Sequence, residues 1–327
     1  MRIAWLAAAI LVLLPIAAPA TAHTVGFQVL RIADGDDEPI DVGVWYPSDA
    51  PASLQPLANF TQEVAPNGSA VGAHLPMVVM SHGTGGWFGE HYDTALALAR
   101  AGFVVAALSH PGDTYDDQSR SAQIWRRPAQ LRRLIDYMLT GWPDHARIDP
   151  ARIGAFGFSA GGFTVLAAVG GVPDLSLVAP HCAAHRAYFE CGVVKRAGGK
   201  APPSPAKTDR SVWFTDGRIR AAVVAAPALG YTFDLGAVTI PVQLWSAQFD
   251  HVLPAPDYAD FVRAHLPTAP DFHLVANADH LDFLAPCPDR QAKEASDICA
   301  SRPGFDRARF HAGFNTDVVR FFERQLG

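Results

Sequence analysis

The sequence has no surplus of positive charge. Lys and Arg number 26 against 32 Asp and Glu, a formal net charge of −6. That balance argues against a nucleic-acid partner, which favours a basic face. The 27 Gly and 26 Pro follow no period, so the chain is not collagen-like. Charged residues make up only 18%, against 49% hydrophobic and 10% aromatic, which excludes an intrinsically disordered chain. Beyond the first apolar run, no segment is long and apolar enough to span a bilayer. There is no internal repeat and no composition break through the core, so the 327 residues read as one large α/β domain after a leader. Mean hydropathy of +0.09 is slightly high for a soluble protein, and much of the excess sits at the front.

Arg2 precedes an apolar run from Ile3 to Ala18, broken by Pro15. Ala20, Thr21 and Ala22 then supply the small residues of a cleavage site. Residues 1–22 read as a secretory signal peptide cut after Ala22, leaving a domain over 23–327. A retained membrane anchor is the alternative, but the run is short for a span and Pro15 interrupts it. No Cys follows the run, so no lipid attachment is expected, and the mature protein is expected to be secreted or periplasmic with no stable membrane anchor. His23 at the new amino terminus reads as a frayed end rather than a copper ligand.

Export bears on the four cysteines, Cys182, Cys191, Cys287 and Cys299. An even number in an oxidising compartment suggests disulfides, with three connectivities open. The local pairs Cys182–Cys191 and Cys287–Cys299 are favoured, each closing a short loop. Zinc is the competing reading, but there is no C-x-x-C and no His at finger spacing.

Along the chain, residues 25–33 and 40–47 read as an antiparallel hairpin around Asp34-Gly35. Residues 48–75 read as surface loop. Apolar strands then alternate with helices: strand 76–80, helix 92–100, strand 103–108, helix 121–140 and strand 152–158, followed by strands 219–226, 242–247 and 272–276 and a helix over 307–326. Strands apolar on both faces predict a mostly parallel sheet covered by helices on both sides. Residues 170–217, which hold one Cys pair and a Gly/Pro-rich run, read as an insertion or cap above the sheet.

Strand 152–158 runs into Gly157-Phe158-Ser159-Ala160-Gly161-Gly162 and then a helix. This is G-x-S-x-G in a strand–turn–helix setting, which lifts the Ser159 hydroxyl out at the carboxyl edge of the sheet. Gly157 and Gly161 sit where a Cβ would clash. Ser159 is therefore the expected nucleophile. The charge it creates on an ester needs two donors, expected from the N–H groups of Ala160 and of Thr84 in Ser81-His82-Gly83-Thr84-Gly85-Gly86, with Gly85 as competitor. His82 reads as a loop-orienting residue.

The base and its acid partner should follow in chain order. Asp250 lies just past strand 242–247 and His280 just past strand 272–276, on the same edge as Ser159. Asp234 is the rival acid, and Asp279 and Asp282 read as braces around His280. Among the 13 histidines, His251, His265, His273 and His311 fail on position. Trp87 and Phe88, after the oxyanion loop, are candidates for an acyl pocket, with core packing as the other reading.

These residues resemble the α/β-hydrolase superfamily. More closely they are similar to bacterial predicted dienelactone hydrolases and platelet-activating-factor acetylhydrolase-like serine esterases, over about residues 25 to 325. The stretches that carry this are Ser81–Gly86, Ala107–Asp113, Gly157–Gly162, Ala226–Ala228 and Ala278–Cys287. The resemblance implies an α/β-hydrolase fold and hydrolysis of small or lipid-like carboxylic esters without a metal or organic cofactor. True dienelactone hydrolases carry Cys where this chain has Ser159. The animal acetylhydrolases place the acid after an earlier strand, where this chain has Ala226-Pro227. Secreted polyester hydrolases carry Met where this chain has Ala160. An amidase or peptidase with the same residues, a polyester hydrolase, and a binding protein on an inactive scaffold are the rivals.

Overall fold

The computed structural model describes residues 23–198, 204–209, 211–288, 292–293 and 296–327. The expected leader, residues 1–22, lies outside the described residues. A ten-stranded sheet forms the centre, with strands in the spatial order β12-β11-β9-β7-β5-β6-β2-β1-β4-β3. The chain enters through β1 (Thr24–Asp34) and β2 (Asp37–Ser48), an antiparallel hairpin turned at Gly35. Next come β3 (Ser53–Leu57) and β4 (Phe60–Pro66), which pair with each other at one end of the sheet. They correct the expectation of a loop over 48–75. In β4, Phe60, Gln62 and Val64 alternate inward. The middle member is a glutamine, which breaks the apolar alternation. It is buried because it accepts a 2.8 Å hydrogen bond from the Trp45 indole.

From there the α/β alternation holds. β5 (Leu75–Ser81), α1 (Tyr92–Arg100), β6 (Val104–Leu108), α2 (Arg127–Thr140), β7 (Ile148–Phe158) and α3 (Ala160–Ala168) follow in turn. Strands β6, β5, β7, β9 (Ile219–Ala225), β11 (Val242–Ala247) and β12 (Asp271–Val275) run parallel. Helix α2 begins at Arg127, later than the expected residue 121. Pro128 occupies its first turn, where a missing N–H does no harm.

Met77, Val78 and Val79 of β5 are each 0% exposed, so the strand is covered on both faces. One core layer joins Met77 and Val79 to Leu131, Leu134, Ile135 and Met138 of α2, with Phe163 of α3 and Val262 of α6 (Ala259–His265). The other joins Val78 to Leu98 of α1 and to Phe314, Val318, Phe321 and Phe322 of the last helix. Those four recur at one-turn spacing, which puts them on a single face. Each such side chain contributes about 1.5–3 kcal/mol by leaving water.

The described residues of 170–217 stand partly outside this frame. Short β8 (Val172–Pro173) pairs only with β10 (Phe233–Asp234), forming a separate two-stranded ribbon. Helices α4 (Val178–Ala184) and α5 (Phe189–Arg196) follow, joined by the Cys182–Cys191 disulfide. Leu175, Val178 and Trp213 nevertheless enter the core layer of α2 and α3. The second disulfide, Cys287–Cys299, ties the stretch after β12 to the single turn α7 (Ser296–Cys299), ahead of α8 (Arg307–Leu326). Among the described residues no helix is long and apolar enough to cross a membrane.

Candidate active site

Strand β7 ends at Phe158 and α3 begins at Ala160, so Ser159 alone makes the turn. Its backbone lies at φ 55°, ψ −117°, a region that costs an L-residue about 1–3 kcal/mol. The neighbouring strand holds it there. Ser159 N–H donates to the Ala225 carbonyl at 2.9 Å, and the Ser159 carbonyl accepts from Ala228 N–H at 2.9 Å. A Cβ at Gly157 would stand 2.1 Å from the Gly161 carbonyl oxygen, and one at Gly161 would stand 1.9 Å from that of Ser81. Only glycine fits at either position.

His280 opens a short helical turn, His280–Phe283, beyond β12. Its Nε2 lies 3.1 Å from the Ser159 hydroxyl, and its Nδ1 lies 2.7 Å from Asp250 Oδ2. An ionised carboxylate only accepts, so Nδ1 carries the proton and Nε2 is free to receive the hydroxyl's. Asp250 is fixed by its other oxygen, which accepts from the N–H groups of Val252 and Leu253 at 3.0 and 2.6 Å. The Phe158 ring packs 4.8 Å from the imidazole. Below it, Asp279 and Asp282 cap the turn reciprocally, and Asp282 also receives Arg307 Nε at 3.2 Å.

The rival positions fall elsewhere. Asp234 is exposed and pairs with Lys207 at 3.7 Å. His251 is exposed and bonds Asp279 rather than Asp250. His273 stacks on Trp245, and His311 bonds Asp93 from inside α8.

The loop after β5 approaches from the far side of Ser159. Three of its N–H groups are engaged: Gly83 with Glu90 Oε2 at 2.7 Å, Gly85 with Asp113 Oδ1 at 3.0 Å, and Gly86 with the Gly83 carbonyl at 3.3 Å. Among the described residues Thr84 N–H has no such acceptor, and Thr84 borders the same cavity as Ser159. Ala160 N–H is one of the donors a helix leaves unused in its first turn. Gly85, the competing donor, is therefore committed.

Arg127 and Glu90, which help shape this loop, carried no signal in the sequence. Arg127, 2% exposed, donates to Asp113 Oδ2 through Nε and Nη2 at 3.0 and 2.6 Å. It also donates to the carbonyls of His82 and Gly83 at 2.7 and 3.0 Å. Burial and the Arg127 charge lower the His82 imidazole to about 4. It is neutral, and it donates from Nδ1 to the Gly83 carbonyl at 2.6 Å while accepting His110 N–H at 2.9 Å. Burial, with Arg127 and His82 nearby, also pushes His110 well below its ordinary value. Burial alone would raise the Glu90 carboxyl. Hydrogen bonding and charge from His91, with help from His82 and Gly83, hold it below the usual range.

A cavity opens beside Ser159 and Thr84. Its walls are chiefly apolar: Ile124, Trp125, Val178, Val193 and Leu253, with Glu190 as the charged member. Residues of 170–217 thus supply one side of it. Trp87 and Phe88, the candidate acyl-pocket residues, do not line this cavity, which corrects that expectation. Phe88 turns onto the sheet beside Trp45, and Trp87 and Phe88 border a separate depression with Arg31 and Tyr115. Gly43 has no Cβ, which would stand 2.5 Å from the Phe88 ring, so the ring can pack over it.

No protein-family model matches the chain, and no curated protein is similar to it in sequence. In structure it is similar to a ferulic acid esterase from Streptomyces cinnamoneus, with a TM-score of 0.61 and 20% identity, covering 95% of this chain and 92% of that one. The mostly parallel sheet, the helices on both its faces and this likeness make the architecture an α/β-hydrolase fold.

Proposed function

We propose that the protein is an exported serine hydrolase of carboxylic esters. What carries the reading is the continuous hydrogen-bonded line from Asp250 through His280 to Ser159, opening on an apolar cavity. In the proposed reaction Ser159 Oγ attacks the ester carbonyl carbon while His280 Nε2 takes the hydroxyl proton. The Asp250 carboxylate holds the imidazole's tautomer and stabilises its charged form. The N–H groups of Thr84 and Ala160 receive the oxyanion. The tetrahedral intermediate collapses, the carbonyl–alkoxy bond breaks, and His280 returns the proton to the leaving alcohol. Water, deprotonated by His280, then releases the acid from Ser159.

The resemblance to dienelactone hydrolase-like and acetylhydrolase-like esterases supports the same chemistry, as does the likeness in structure to a ferulic acid esterase. The cavity walls favour an apolar acyl or alcohol group. Residues 170–217 act in this reading as a cap that forms one wall. Export rests on the leader over 1–22 and on the two disulfides. The mature amino terminus would be His23, which mass measurement of the exported protein checks.

A fluorophosphonate probe tests the mechanism. The native protein should take up one label per chain, and Ser159→Ala should take up none. No uptake by the native protein, or equal uptake by the variant, removes the proposal. Hydrolysis of p-nitrophenyl esters from short to long acyl chains then defines the substrate. Matched amides separate an esterase from an amidase.

A further inference from the structure

A second cluster of reactive side chains lies where α4 and α5 meet the turn after Asp250, apart from the Ser159–His280–Asp250 line. His181 projects from α4 and His185 caps its end, four residues on, so both lie on one face of the helix. Asp257 closes a short turn, Ala255–Asp257, a few residues beyond Asp250. One ligand atom from each of these three comes within 4.8 Å of the others.

The surroundings prepare these groups for a ligand. Tyr231 stacks on His181 with centroids 3.9 Å apart, and His181, His185 and Tyr188 form a cluster with centroids 4.5–5.3 Å apart. The Tyr188 hydroxyl donates to Asp257 Oδ2 at 3.2 Å, which orients that carboxylate. Glu190 lies across from His181, with Oε1 3.5 Å from His181 Nε2. That oxygen accepts from Tyr258 at 2.6 Å and from Tyr231 at 3.3 Å. The Cys182–Cys191 bridge spans the neighbours of His181 and Glu190 and fixes their approach.

Two atoms in this assembly stand out. His181 Nε2 and Glu190 Oε2 are both buried, and among the described residues neither has a hydrogen-bond partner. A buried polar atom left unsatisfied costs about 1–3 kcal/mol. A nitrogen base and a carboxylate facing each other, each with an atom left unsatisfied, match the donor set of a cation.

We propose that His181, His185 and Asp257 bind one divalent transition-metal ion of the zinc type, with Glu190 beside them as a further ligand. Two imidazoles and a carboxylate suit zinc and its neighbours better than the oxygen-seeking magnesium or calcium. Tetrahedral arms of about 2.1 Å place ligand atoms roughly 3.4 Å apart, so closing on the ion takes only side-chain rotation. The ion fastens α4 and α5 to the turn that follows Asp250. Its role is structural, and it touches no atom of the Ser159–His280–Asp250 line. The site does not depend on the ester-hydrolase reading.

Calorimetric titration of the full mature protein with Zn²⁺, after removal of metal by a chelator, tests this. Binding should be one to one in the wild type and equally in Ser159→Ala. His181→Ala, His185→Ala and Asp257→Asn should each weaken it by about tenfold or more. Asp257→Asn keeps volume and the Tyr188 contact, so its effect reads on ligation even if a histidine variant folds poorly. Absence of one-to-one binding, or wild-type affinity in Asp257→Asn and in every folded histidine variant, overturns the proposal.

Discussion

Arg127 carries a full charge almost out of contact with water and spends it on one carboxylate and two carbonyls. Arg127→Ala would leave Asp113 buried without its counter-charge, a loss of about 3–5 kcal/mol, readable as a lower midpoint in urea. The same change frees the carbonyls of His82 and Gly83, so the loop that presents Thr84 loses its support. At the other end of the site, Asp250→Asn keeps shape but favours the wrong imidazole tautomer. It should lower kcat on a p-nitrophenyl ester about 10⁴-fold, while Asp234→Asn should leave it unchanged. Ser159, Asp250 and His280 were legible because each follows the carboxyl end of a strand, where the fold gathers side chains. Arg127 and Glu90 were not, because their partners are other loops and the pairing exists only after folding. Arg127 donates across 44 residues of sequence to the Gly83 carbonyl.

The helices and loops around the site differ in what they hold. The Cys182–Cys191 bridge joins α4 to α5, and both helices border the cavity. Each disulfide closes a short loop worth about 2–3 kcal/mol in the chain-entropy account. The double variant Cys182→Ser/Cys191→Ser should therefore raise KM for a bulky ester more than it lowers kcat, since the wall moves and the hydrogen-bonded line does not. Cys287→Ser/Cys299→Ser should show mainly as a lower Tm. Steady-state kinetics beside a thermal melt separates the two. The central parallel strands β5, β6 and β7 and the terminal helix were readable because their apolar runs and spacing are clear. Strand β4 was not, because Gln62 occupies an inward position, its carbonyl accepting from an indole of another strand. The early start expected for α2 fails for a local reason: Pro128 marks the first turn, and the residues before Arg127 form a separate tighter turn.

The whole molecule should be sensitive to acid, and the sign follows from its buried imidazoles. In the unfolded chain a histidine takes up its proton near pH 6.5. Folded His82 resists until about 4, and His110 is likewise held well below its ordinary value. Between those values the unfolded chain binds more protons, so stability is fully present above about pH 6.5 and is lost as pH falls toward 4. His82 alone accounts for about 3 kcal/mol over that window. Urea unfolding at pH 7, 5.5 and 4.5 should show a falling midpoint, and a flat profile would contradict the buried neutral pair. The sheet itself has two ends. At one, β3 offers Leu54, 74% exposed, yet the same strand carries Pro56, which has no N–H to give. At the other, β12 begins with Asp271 next to Arg324 and carries His273. A neighbouring molecule that tried to extend the ladder would meet a missing donor at one end and fixed charge at the other. Ten strands thus form a closed count rather than a template, and crowding many copies together should not convert this sheet into a fibre.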